Sequence, residues 1–362
     1  MSSILDQINH YFDRGPYSDD KFVKEHYMLP LLVDLVKYHY TSCAEYRNIL
    51  DALRFDQSSL LSIDDLPFLP VLLFKELDLV SVPLIDISKT MRSSGTSGQV
   101  PSRIYLDKTT AMLQRKVLAR ITSEVIGTKR LPMVVVDKKS SILNRTQFSA
   151  STAAILGFSS FSTSQFFVLN EDMTVDFAGL SDFLKIHEDE TIFLFGFTSV
   201  IWQYLILPLT ENKKSLDFGN SVLIHGGGWK KLQNQNISRA EFRSKIQELL
   251  GVRLVHDYYG MVEQTGSIFI ECSHNFFHTS NFSTVIVRDP QTHSVLPFNE
   301  IGIVEVVSIA PVSYPGHILL TEDLGRIVGE DNCRCGRLGR YFEIFGRVEH
   351  AELRGCSDTF SA

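Results

Sequence analysis

The sequence predicts an α/β protein: a body of sheets covered by helices, a smaller β-rich subdomain after it, and a short, truncated C-terminal element. Three patterns carry that reading. Short apolar runs at 133–136, 192–195, 222–224 and 253–255 are separated by helical or loop sequence, the alternation expected of a mixed or parallel sheet buried under helices. After residue 268 the spacing tightens to short strands, clearest at 285–287, 303–307 and 318–320, punctuated by Asp289-Pro290, Pro311 and Pro315-Gly316. Ahead of both, from residue 3 to about 53, apolar side chains recur at helical spacing, as at Leu29, Leu32, Val33, Leu35 and Val36.

In chain order, residues 1–65 are expected to form a helical lead-in. Leu66-Pro67-Phe68-Leu69-Pro70 ends it, because each proline fixes its own φ and disfavours helix at the residue before it. Residues 66–267 then form the α/β core, 268–345 the β-rich subdomain, and 346–362 a hinge with a short tail. No internal repeat at solenoid spacing is present, which leaves array architectures unsupported.

Composition bounds the function. The 35 Lys and Arg against 42 Asp and Glu give a formal charge of −7, which argues against a dedicated nucleic-acid binder. With 44% hydrophobic and 21% charged residues, the chain has material for a sizeable core, and intrinsic disorder is excluded for most of it. Asp6, Gln7, Asn9 and His10 interrupt the apolar residues at the N-terminus, unlike an export signal. The most apolar window, 192–209, carries Gly196, Thr198, Ser199, Gln203 and Pro208; it reads as a buried passage and not a membrane span. A cytoplasmic protein is expected. Five cysteines, Cys43, Cys272, Cys333, Cys335 and Cys356, are too few and too unevenly spaced for a disulfide scaffold.

The segment richest in chemistry is Arg92-Ser93-Ser94-Gly95-Thr96-Ser97-Gly98-Gln99. Alternating glycines and hydroxyls let a turn approach a polyanion closely and offer it N–H and O–H donors, so Ser93, Ser94, Gly95, Thr96, Ser97 and Gly98 suit a phosphate cradle. It is not a Walker loop, since the Gly-Lys-Ser/Thr ending is absent. By itself the same segment also reads as a solvated Gly/Ser turn. Downstream follow Gly226-Gly227-Gly228-Trp229, Asp257-Tyr258-Tyr259-Gly260-Met261-Val262-Glu263, Glu322-Asp323-Leu324-Gly325-Arg326, and Gly346-Arg347 with Arg354-Gly355.

The order and spacing of these motifs resemble the adenylate-forming superfamily of acyl-CoA synthetases, peptide-synthetase adenylation domains and luciferases. That resemblance implies ATP and Mg²⁺ as cofactors. It implies that the 93–98 loop clamps the β- and γ-phosphates, and that Gly227 and Gly228 lay bare backbone along the adenine. Tyr259, followed by Gly260, matches the aromatic that stacks on the base. Asp257 matches the polar neighbour of its amine, and Glu263 the carboxylate that holds Mg²⁺, a hard cation suited to oxygen ligands. Asp323 matches the acid on the ribose hydroxyls, and Arg347 lies in the Gly-Arg hinge signature. Read singly, Tyr259 is equally a packed core tyrosine, and Asp323 and Glu263 equally solvated charges.

Most of that superfamily continues into a C-terminal lid carrying a catalytic lysine, whereas only seven residues, 356–362, follow Gly355 here. Cys356 is therefore expected to serve as the acyl acceptor, with Arg354 favouring its thiolate. Length, the Leu69-Pro70-Val71-Leu72-Leu73-Phe74-Lys75 segment and the tail cysteine together resemble the acyl-protein synthetase of bacterial luminescence, the LuxE family. The resemblance implies activation of a long-chain fatty acid as acyl-AMP and its transfer to Cys356 as a thioester. It also implies delivery to an acyl-CoA reductase subunit in a hetero-oligomer. Two other readings stay open: a phenylacetate-type acyl-CoA ligase, and a non-catalytic nucleotide-binding partner subunit.

A second group comprises Cys272, His278, Cys333 and Cys335. Three sulfurs and an imidazole match the donors of a closed tetrahedral structural Zn²⁺ site, with buried free thiols as the alternative. His278 is preferred to His274 because His274 lies close to Cys272 on a predicted turn. His225 beside the glycine turn reads as an acyl-pocket residue or a core imidazole. Phe195, Phe197 and Trp202 around Gly196 read as an apolar channel or ordinary core.

Overall fold

The structure is a computed structural model that describes residues 2–56, 61–93, 101–143, 150–227, 229, 232 and 237–348. The lead-in is helical as the periodicity predicts: α1 (Ser2–Phe12), α2 (Lys21–Ser42) and α3 (Ala44–Ala52). Asp20 caps α2 by accepting from the Val23 N–H at 2.9 Å, which satisfies one of the helix's orphan donors. The face of α2 carrying Met28, Leu31, Leu32, Leu35 and Val36 is buried. Pro30 stands inside this helix without ending it, on its exposed side.

The proline-broken segment yields β1 (Leu69–Pro70), and then a hairpin of β2 (Ile87–Arg92) and β3 (Arg103–Asp107) forms. The helix Lys108–Ile126 leads on to a parallel sheet. Its strands are β4 (Leu131–Lys138), β5 (Ser162–Leu169), β6 (Ile192–Phe197), β7 (Ser221–Gly226) and β8 (Leu254–Tyr259), in spatial order β5-β4-β6-β7-β8 with each neighbouring pair parallel. β4, β6 and β7 are buried almost end to end, which is why the sequence shows them as continuous apolar runs. One face packs into a core of Leu194, Leu205, Phe242, Ile246 and their neighbours. β5 escaped the sequence reading because it opens with four polar residues, Ser-Thr-Ser-Gln, alternately half-buried and exposed, which leaves only a short apolar run behind them.

The remaining strands are β9 (Phe269–Ile270), β10 (Phe277–His278), β11 (Ser283–Arg288), β12 (Gly302–Ser308), β13 (Ile318–Glu330) and β14 (Arg340–Arg347). Five of them form an antiparallel sheet in the order β10-β14-β13-β12-β11, with β1 added in parallel to β13. Arg288 on β11 pairs with Glu305 on β12 inside this sheet, so each desolvated charge has its partner.

The chain divides into two compact units, Met1–Ile121 with Gly260–Ala362 and Thr122–Tyr259. These boundaries differ from the four segments drawn on the sequence. Residues 66–121 join the lead-in and the β-rich part, because β1 adds to β13 and the Ser81 N–H donates to the Ser313 carbonyl. No helix among the described residues is long and apolar enough to cross a membrane.

Candidate active site

In the parallel-sheet unit, the glycine turn and the Asp-Tyr-Tyr motif sit at the C-terminal ends of adjacent parallel strands. His225 is opposite Asp257, and Gly226 opposite Tyr258. Crevices at the C-terminal ends of parallel strands are where α/β sheets take their ligands. Gly226 is glycine for a steric reason: a Cβ there would lie 2.6 Å from the Tyr258 carbonyl oxygen. Gly227 turns the chain with φ +68°, a conformation side chains rarely adopt. Asp257 is buried, and its Oδ2 accepts from the Trp229 indole at 2.6 Å and from Arg239 at 3.1 Å. Tyr259 ends β8 half-buried, and Gly260 follows it exposed.

His225 is buried with Nδ1 2.9 Å from the Thr198 hydroxyl, its ring against Phe242 at 4.7 Å. Burial, reinforced by Arg243 and Arg239, lowers its pKa well below the usual histidine value, so the imidazole is neutral. Phe195 and Trp202 are core residues packed on Phe158 and Phe242, which favours core packing over a channel for both.

In the other unit, β2 and β3 pair as a hairpin, and the Ser/Gly segment runs between them in sequence. Ser93 and Ser102 tie its base: the Ser93 N–H donates to the Ser102 carbonyl at 3.2 Å, and the Ser102 N–H donates to the Ser93 hydroxyl at 2.8 Å. Ser94, Gly95, Thr96, Ser97 and Gly98 lie outside the described residues, as do Gly228 and Cys356.

Glu263 stands on a single 3₁₀ turn, Val262–Gln264, pinned from below. Tyr314 donates to its carbonyl at 2.7 Å, and Gln264 reaches the carbonyls of Gly316 and Val306. Burial pushes the Glu263 carboxyl up, while Ser102, Lys75 and Arg347 pull it back. Asp323 and Arg347 face each other across β13 and β14, with Arg347 Nε 3.4 Å from Asp323 Oδ1 and its Nη1 4.0 Å from Glu322. Glu263, Asp323 and Arg347 therefore share one electrostatic neighbourhood. Sequence reasoning singled out all three. It gave no role to Lys75, Ser102, Trp229 or Arg239, whose partners are distant in sequence and leave no local spacing to read.

Cys272, His278, Cys333 and Cys335 are also brought together, their ligand atoms all within 4.8 Å of one another. Cys272 Sγ is 3.9 Å from Cys333 Sγ, and Cys335 Sγ is 3.4 Å from His278 Nε2. His274 is exposed on the turn after Cys272, with its backbone N–H, not its ring, directed to that sulfur. Burial raises the Cys272 and Cys335 thiols and, with Arg337 and Lys24 nearby, lowers His278 to about 3.

The fold of the described residues is similar to that of a solved CoA ligase. A crystal structure of 2-hydroxyisobutyryl-CoA ligase in an open conformation, in complex with 2-HIB-AMP and CoA, has this fold: it superposes with a TM-score of 0.70 over 93% of this chain and 77% of its own, at 18% identity. The same ligase in its thioesterification state superposes at 0.70 over 92% and 70%.

The family model for the acyl-protein synthetase LuxE matches residues 2–362, and the chain belongs to that family. The long-chain-fatty-acid–luciferin-component ligase of Vibrio harveyi is 26% identical over 341 residues, 90% of this chain and 85% of its own length. The protein of that name from Aliivibrio fischeri is 26% identical over 334 residues, 88% and 84%. The protein is a ligase.

Proposed function

We propose that the protein activates a long-chain fatty acid as acyl-AMP at the expense of Mg·ATP and then carries the acyl group on Cys356 as a thioester. In the first step a carboxylate oxygen of the fatty acid attacks the α-phosphorus, and the bond to the bridging oxygen breaks as pyrophosphate leaves. In the second, the Cys356 thiol loses its proton and the thiolate attacks the acyl carbonyl, expelling AMP. Aligning the reactants and neutralising charge is the protein's main contribution, as in phosphoryl transfer generally.

In this reading the roles fall on the residues that the sequence motifs single out. The 93–98 loop holds the β- and γ-phosphates, Gly227 and Gly228 border the adenine, and Tyr259 stacks on it. Asp257, fastened by Trp229 and Arg239, steadies the strand end that carries Tyr259. Asp323 takes the ribose hydroxyls, oriented by Arg347. The half-buried Glu263 makes no ion pair among the described residues, which fits an oxygen ligand awaiting a hard cation. Mg²⁺ held there would draw charge from the phosphate oxygens as pyrophosphate forms. The thioester so near the hinge suits delivery to an acyl-CoA reductase subunit in a hetero-oligomer.

The observation that carries this reading is the acyl-protein synthetase match across residues 2–362. Its test is the intact mass of the protein after incubation with ATP, Mg²⁺ and a panel of fatty acids, alongside exchange of labelled pyrophosphate into ATP. The wild type is expected to gain one acyl chain, and Cys356→Ser to exchange pyrophosphate normally while gaining none. Product formation by Cys356→Ser only with coenzyme A would instead mark an acyl-CoA ligase. No exchange in either protein would mark a nucleotide-binding subunit.

A further inference from the structure

The geometry points to a closed structural zinc site formed by Cys272, His278, Cys333 and Cys335, which staples the β10 turn and the β13–β14 connection to the chain between α1 and α2. The distances suit a cation that is tetrahedrally held. Zinc–sulfur bonds of about 2.3 Å and zinc–nitrogen bonds of about 2.0 Å make tetrahedron edges of about 3.8 Å between sulfurs and about 3.5 Å between sulfur and nitrogen. The Cys272–Cys333 and Cys335–His278 separations are 3.9 and 3.4 Å. Four protein donors leave no open position for water or substrate, which is the mark of a structural site and not a catalytic one.

The shell around the donors is built for thiolates. The backbone N–H of His274 donates to Cys272 Sγ at 3.3 Å, and that of Arg337 to Cys335 Sγ at 3.5 Å. Both turns are completed by left-handed residues, Asn275 with φ +66° and Gly336 with φ +83°. N–H groups from residue i+2 aimed at sulfur are the outer-shell bonds that orient metal-bound cysteine. Tyr341 stacks on the His278 ring at 5.6 Å and 20°, and Tyr17 meets its edge at 6.2 Å, which fixes the plane that brings Nε2 to the sulfurs. Cys272 and Cys333 are separate thiols at their distance, not a disulfide.

The same segments grip the lead-in. Arg337 lies over the Tyr17 ring at 4.5 Å, the Leu338 N–H donates to the Tyr17 carbonyl, and the Lys21 N–H donates to Asp331 at 2.9 Å. Lys24 reaches Thr279, next to His278, at 3.1 Å. Holding the 331–339 connection against β10 thus holds residues 13–24 as well.

The test uses the full chain purified without added metal or chelator. Elemental analysis is expected to give one zinc per chain, and exchange for cobalt to give the thiolate charge-transfer and visible bands of a tetrahedral site. Cys333→Ser and Cys335→Ser should lose at least nine-tenths of the zinc. Because those variants can unfold, the wild type supplies a second readout. Ellman's reagent should find Cys272, Cys333 and Cys335 unreactive until a strong chelator strips the metal, and amide exchange across residues 13–24 should then rise at least tenfold while β6 and β7 stay protected. Absence of zinc together with failure to take up cobalt overturns the site. So does full zinc content in folded Cys333→Ser, or thiol reactivity indifferent to the chelator. Unchanged exchange at 13–24 after stripping overturns the staple.

Discussion

Glu263 is half-buried with Lys75 and Arg347 pulling against its burial, so its charge has been made available at a cost. Glu263→Gln keeps the shape and removes that charge; pyrophosphate exchange is expected to fall by about 10²-fold or more, the scale of losing one preorganised electrostatic group. Circular dichroism should be unchanged. Trp229→Phe deletes one donor to the buried Asp257 carboxylate, which leaves Arg239 to hold it. Stability should drop by about 1–3 kcal/mol in urea titration, and the KM for ATP should rise more than kcat falls. At this scale the sequence singled out Asp323, Arg347 and Glu263, each from its own local motif, and the structure places them in one electrostatic neighbourhood. The sequence was silent on Trp229 and Arg239, because a hydrogen bond to Asp257 from 28 and 18 residues away leaves no periodic trace.

Under the proposed function, the element that bears most on the nucleotide is the junction of β7 with β8. Gly226 allows the two strand ends to touch, and a methyl group there would press on the Tyr258 backbone and ring. Gly226→Ala should cost about 1–3 kcal/mol through overpacking. ATP should then raise the melting temperature less than it does in the wild type; equal ATP-induced shifts would show that this contact is irrelevant to the nucleotide. Strands buried on both faces announce themselves as apolar runs, so β4, β6 and β7 were readable in advance. β5 opens with four consecutive polar residues at half-buried and exposed positions, and β14 mixes Arg340, Glu343 and Arg347 into its pattern, so neither was. Long sequence separations hid β1 as well, a strand only through its pairing with β13.

Among the described residues outside the Cys–His cluster, three buried imidazoles link stability to acidity. Burial holds His317 down to about 3, and burial lowers His39, beside His317, and His225, near Arg243 and Arg239. Below about 6.5 the unfolded chain protonates these rings and the folded chain does not. The unfolded state then binds more protons, and stability falls as pH falls, by up to about 1.4 kcal/mol per pH unit for each ring. Asp137, Glu263 and Glu305, whose carboxyls burial raises, act in the opposite sense, from an ordinary range near 4. The urea midpoint should therefore be lower at pH 5.5 than at pH 7.5, and equal midpoints would contradict the burial of these rings. Domain boundaries were the least legible feature at this scale, since apolar patterning marks strands but not which distant strands they join.

That discontinuity has a consequence for the nascent chain. Residues 122–259 form one uninterrupted stretch, free to acquire structure as soon as the ribosome has released it. Leu69, in contrast, is translated long before Leu319, its neighbour in the sheet, and the early helices emerge with their apolar faces uncovered. Closing so long a loop is slow relative to local folding, and the interval favours chaperone capture over spontaneous collapse.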